Sequence, residues 1–173
     1  MATAWSNQIT RQIGEHLVAA ELGRRNLAAT PFAGNVPRFD LLVADEQGRS
    51  IPVQVKAING PSWQFRIDKF LEVDVLDEIQ QVRGKKGLTM PDLVCIFVLL
   101  HEAGKDEFYI FRMRELQEHF FKTYLGGPRP RNPNSMHCAV WPQDLQDHRD
   151  KWEVVHEGLR ISGASAVVPA SAG

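Results

Sequence analysis

Phe39-Asp40-Leu41-Leu42-Val43-Ala44, then Asp45-Glu46-Gln47-Gly48-Arg49, then Ile51-Pro52-Val53-Gln54-Val55-Lys56-Ala57, is the stretch on which the fold turns. Two short apolar runs flank a polar turn in which Gly48 can take a positive φ, so the segment reads as a β-hairpin. Pro52 falls near the start of the returning strand, where a missing N–H is tolerated. With the turn centred on Gln47, Leu41 faces Val53 and Asp40 faces Gln54, with Cβ atoms about 5 Å apart. Strand side chains repeat every second residue, so Lys56 projects from the same face as Gln54. Phe39, Leu41, Val43, Ile51, Val53 and Val55 form the opposite face, which is core. Leu42 shares the polar face, which implies that something covers it in part. A slip of one residue would separate Asp40 from Gln54, so the site depends on this register.

Upstream, Ser6 to Asn26 reads as a helix that Ser6 can cap. Ile9, Ile13, Leu17 and Ala20 make one apolar stripe, and Val18 and Leu22 a second with Glu15 beside them. A helix apolar on two sides is expected to lie buried between layers. Glu21, between the stripes, reads as a surface carboxylate near Arg24 and Arg25. Downstream, Trp63 to Ile67 alternates and can add a strand. Asp68 to Arg83 reads ambiguously, with a helix in its second half, and Arg83 to Gly87 as a basic loop. Leu93 to Leu100 is continuously apolar, the mark of a strand covered on both faces. Glu107 to Met113 reads as a strand, Glu115 to Tyr124 as a helix, and Gly126 to Ser135 as a loop. Asp144 to Val155 reads as a short final helix and a strand end. Residues 162–173 are small-residue low complexity and read as a mobile tail behind one domain, 1–161. The order of elements implies an α/β fold in which helices flank a central mixed β-sheet.

The residue types on the polar strand face carry chemistry. A carboxylate at Asp40 is a hard oxygen ligand for Mg²⁺, and the Gln54 amide oxygen or the Val55 carbonyl can add a neutral one. Bound metal lowers the pKa of its water and stabilises charge on phosphate oxygens. An ammonium at Lys56 can orient the attacking water or neutralise the phosphate in the transition state. One Asp offsets only half the charge of a dication, so a second carboxylate is wanted, and Glu15 on the first helix is the candidate. Taken on composition alone, the same three residues make an ordinary solvated strand face.

The spacing resembles that of the PD-(D/E)xK nuclease superfamily, with its restriction-endonuclease-like three-layer core. In that family an Asp opens one strand and an (E/D/Q)-x-K triplet lies on the next. Asp40, Gln54 and Lys56 match those positions, and Gly14-Glu15 resembles the helical Glu that often completes the metal site. The Q-x-K version is similar to one homing-endonuclease branch. Arg38-Phe39 stands where the family's Pro would be, and Gln54 replaces a carboxylate, so metal affinity would depend more on Glu15. The resemblance covers residues 8–100. It implies a nuclease acting on nucleic acid, DNA above all, with Glu15, Asp40, Gln54 and Lys56 catalytic. Mg²⁺ or Mn²⁺ would be held by Asp40, Glu15, Gln54 and the Val55 carbonyl. Members often dimerise, so a homodimer is an open expectation. A rival reading keeps the fold as a non-catalytic nucleic-acid-binding or interaction module, and a third makes it a structural partner of a larger assembly.

Composition narrows the partners. Apolar residues make up 43% of 173, enough for a core. With 20 basic and 21 acidic residues the net charge is −1, so no global field draws in a polyanion and any nucleic-acid contact must be local. Two clusters could serve: Arg83, Lys85 and Lys86, and Arg129 with Arg131. Six histidines lack zinc-motif spacing. Cys95 and Cys138 read as reduced thiols of an intracellular protein, with a single bridge as the alternative. The N-terminus has no signal-peptide pattern and no apolar run is long enough to span a bilayer. A cytoplasmic protein without membrane contact is the expectation.

Overall fold

The computed structural model describes residues 4–32, 38–126 and 132–165. In chain order these form helix α1 (Ala4–Gly23) and strands β1 (Ala28–Pro31), β2 (Leu41–Ala44), β3 (Ser50–Ile58) and β4 (Trp63–Arg66). Strands β5 (Leu71–Leu76), β6 (Ile79–Lys85), β7 (Val94–Leu99) and β8 (Glu107–Arg112) follow. The chain closes with α2 (Met113–Tyr124), β9 (His137–Val140) and α3 (Glu153–Ser165).

The central sheet runs β1-β2-β3-β7-β8. All its pairings are antiparallel except β3 with β7, which is parallel. The sheet is therefore mixed, as expected. The hairpin register is also the expected one: Leu41 pairs with Val53 and Val43 with Ile51. Its turn is closed by the Asp45 carboxylate, which accepts from the Gln47 and Arg49 amides at 3.1 and 3.0 Å, and by Gly48 at φ 76°.

Each face of the sheet buries one set of alternating residues. On one side Leu41, Val53, Ile96 and Ile110 meet Val18 and Leu22 of α1 and Val155 and Leu159 of α3. On the other, Phe97, Tyr109 and Phe111 meet Leu116 and Phe120 of α2 and an aromatic cluster around Trp63. Strand β7 is covered on both faces, which is why its apolar residues do not alternate with polar ones.

Four sequence expectations are corrected. Residues 68–85 form no α-helix: β5 and β6 pair as a hairpin through Asp77 and Glu78 at φ 49° and 58°. Leu71-Glu72-Val73-Asp74-Val75 has the period of two that a strand requires, and two left-handed residues match the strand twist. Strand β4 does not join the central sheet but pairs with β9. After β9 the chain makes a 3₁₀ turn over Pro142–His148 and then α3, so the closing helix is longer and later than expected and covers 162–165 of the anticipated tail. Helix α1 is buried on one side only. Gly14, Val18 and Leu22 face the sheet, whereas Ile9 and Ile13 are exposed, as is Leu42 on β2. No helix among the described residues is long and apolar enough to cross a membrane.

Candidate active site

Asp40 lies in the bend that feeds β2. Its amide donates to the Val53 carbonyl at 2.9 Å and its carbonyl accepts from Phe32 at 3.0 Å, so backbone bonds on both sides hold it at the mouth of the hairpin. Its side chain is buried. Oδ2 accepts from the Val55 amide at 2.8 Å and from the Gln54 side-chain amide, and Oδ1 accepts from Arg11 Nη2 at 2.9 Å. A buried carboxylate demands such charge-matched donors.

Asp40, Gln54, Val55 and Lys56 line one cavity of about 570 Å³ together with Asn7, Thr10 and Arg11 of α1. The half-buried Lys56 ammonium lies 5.0 Å from the centre of the Phe65 ring. Burial lowers its pKa, and the neighbouring Asp40 charge pulls it partly back. The Lys56 carbonyl accepts from the Trp63 indole at 2.9 Å, which ties this position of β3 to the aromatic layer behind it.

Helix α1 reaches the site because Gly14 lets it. A Cβ at that position would lie 2.4 Å from Ala57 Cβ, so only glycine allows α1 this close to β3. The next residue, Glu15, has a side chain only 13% exposed. Glu15 is linked to Asp40 through a single guanidinium. Arg11 stands between them, its Nε donating to Glu15 Oε1 at 2.7 Å while Nη2 holds Asp40. The sequence announces neither the bridging role of Arg11 nor the packing role of Gly14. The signal available was that Arg11 precedes Glu15 by one helical turn, the spacing of an ion pair. Glu21 is bound by Arg24 and Arg25 as expected, though its side chain is half-buried rather than on the open surface.

The basic residues expected to meet nucleic acid fare differently. Arg83 and Lys85 are on strand β6 rather than a loop. Arg83 pairs with Asp74 at 2.9 Å, Lys85 with Glu118, and Lys86 donates to the Asp68 carbonyl at 3.1 Å. Arg129 and Arg131 lie outside the described residues. Cys95 and Cys138 are both free and buried, and burial pushes the Cys138 thiol up to about 12. Among the described residues no three His, Cys, Asp or Glu side chains cluster as metal ligands would.

If Glu15 and Asp40 came together with the Gln54 amide oxygen and the Val55 carbonyl, they could offer two carboxylates and two neutral oxygens, a set that would suit a hard dication better than a soft one. Two rearrangements would accompany binding. Arg11 would leave at least one carboxylate. The Gln54 amide, which turns its NH₂ toward Asp40 and the Val55 carbonyl (3.1 Å), would rotate to offer its oxygen.

The fold is shared with a nuclease. A bacterial homing endonuclease, I-Ssp6803I, superposes with a TM-score of 0.50 over 93% of this chain and 97% of its own, at 12% identity. At that identity the likeness concerns the fold. No protein-family model and no curated protein matches the sequence.

Proposed function

We propose that the chain is a metal-dependent nuclease of the PD-(D/E)xK type, acting on DNA. One observation carries this reading: Asp40, Gln54, Val55 and Lys56 converge on a single cavity beneath α1, with the Glu15 carboxylate one guanidinium away. Asp40, Glu15, Gln54 and the Val55 carbonyl would hold Mg²⁺ or Mn²⁺. When bound, the metal would supply an activated water and charge stabilisation at the phosphate. Lys56 orients that water or neutralises a phosphate oxygen, and its half-buried setting strengthens the interaction relative to bulk water. The Val55 amide holds Asp40 Oδ2 at 2.8 Å before substrate arrives, so once Arg11 and Gln54 have moved the carboxylate itself would need little further reorganisation.

The test is cleavage of plasmid, single-stranded and branched DNA in Mg²⁺ or Mn²⁺. The wild type is expected to cut, and Asp40→Ala and Lys56→Ala to be inert. Cutting that persists in either variant rejects the assignment.

A second reading, a DNA-binding module that keeps the fold without the chemistry, is favoured by the Arg11 bridge and by the Gln54 amide nitrogen facing Asp40. Calorimetric titration separates the two: DNA binding without heat from Mg²⁺ or Mn²⁺ at any concentration supports the module.

A further inference from the structure

The cavity beneath α1 meets a second one at Gln54, which lines both. The second holds about 450 Å³ and is bordered by Arg38, Lys69, Gly87 and Met113. Across the pair, the charged lining among the described residues is four cations, Arg11, Arg38, Lys56 and Lys69, against the single carboxylate of Asp40. The whole chain, by contrast, carries 20 basic and 21 acidic residues, so the excess of positive charge is local to this groove.

The four are not equivalent. Arg11 is committed to Glu15 and Asp40, and Lys56 lies half-buried at the centre. Arg38 and Lys69 are exposed, and the side chain of neither makes a hydrogen bond or ion pair to a described residue. Arg83, Lys85 and Lys86, in contrast, are each already engaged. Among the described residues no exposed aromatic side chain lines either cavity, since Phe70, the one aromatic there, is buried. A groove with available cations and no stacking surface suits phosphates rather than unpaired bases.

We propose that the sugar-phosphate backbone of duplex DNA runs past Arg38 and Lys69, crosses Gln54 and presents a phosphodiester to Asp40 and Lys56. The proposal rests on the reading of this site as a phosphodiester-cutting centre, and adds which residues hold the substrate outside it.

The experiment is fluorescence anisotropy with a short labelled duplex in EDTA, over a series of KCl concentrations. Removing one cation that neutralises a phosphate lowers the slope of log K against log salt by about 1. Arg38→Gln and Lys69→Gln are each expected to lower it by about 1, and the double variant by about 2, while Arg83→Gln/Lys85→Gln leaves it unchanged. All these side chains are exposed, so the fold is not at stake. An unchanged slope in the double variant, a fall in the Arg83/Lys85 control, or equal competition by a single strand overturns the proposal. Cleavage in Mg²⁺ is scored separately. Loss of slope in a protein that never cuts supports the path and rejects the nuclease reading, whereas cutting with an unchanged slope rejects the path alone.

Discussion

Arg11 Nη2 donates to Asp40 Oδ1 at 2.9 Å, from the same guanidinium that holds Glu15 at 2.7 Å. The cation that keeps two carboxylates together is thus part of the chain. A metal ion binding there would have to compete with it. We predict that Arg11→Met binds Mn²⁺ about fivefold more tightly, the equivalent of about 1 kcal/mol for a partly exposed ion pair. Calorimetric titration reads this directly. Equal or weaker binding in the variant would mean that Arg11 does not compete.

Gly14 sets the distance between α1 and β3. We predict that Gly14→Ala destabilises the protein by about 1–2 kcal/mol, because overpacking outweighs the gain in helix propensity. Ala57→Gly in the same chain should recover part of the loss, since the clash is with Ala57 Cβ. Urea unfolding of the two single variants and the double measures the coupling. Strict additivity would show that the close approach is not what makes the glycine necessary.

Lys56 sits in a half-buried place where burial disfavours its charged form. We predict that Lys56→Met raises the thermal midpoint by about 2–4 °C, corresponding to about 1 kcal/mol, while cleavage is abolished as in Lys56→Ala. Stability and activity should therefore move in opposite directions. A variant that loses both would mark Lys56 as a structural residue.

Glu107 gives a pH effect away from the site. Tyr109 donates to it at 2.6 Å, and with Arg149 and His101 nearby its pKa is lowered. A carboxylate whose folded pKa is depressed contributes stability above its unfolded value, near 4.5, and loses it as pH falls through the folded value. We predict that Glu107→Gln flattens this acid limb. Thermal melts from neutral to acid pH follow it, and parallel wild-type and variant curves would contradict the prediction.

Much of the fold is legible in the chain. The hairpin register follows from where Gly48 and the alternating apolar residues fall, and β7 from an unbroken apolar run. The β5–β6 hairpin is obscured because its turn uses Asp77-Glu78 where Asn-Gly would have announced it. Exposure of Ile9 and Ile13 cannot be read from periodicity, which marks a helix as two-sided without saying which side finds a partner. At the site, Asp40, Gln54 and Lys56 follow from the hairpin alone. Arg11 does not, because its role depends on Asp40, which is remote in sequence and meets it only through the packing of Gly14.

The parallel pairing of β3 with β7 has a consequence for the order of assembly. Val53 pairs with Val94 and Ile58 with Leu99, so the strand bearing Gln54 and Lys56 lacks one neighbour until the ribosome has made the seventh strand. Long-range parallel pairing is slow, because a large loop must close before any contact rewards it. The hairpin can form early, but its parallel edge is completed late.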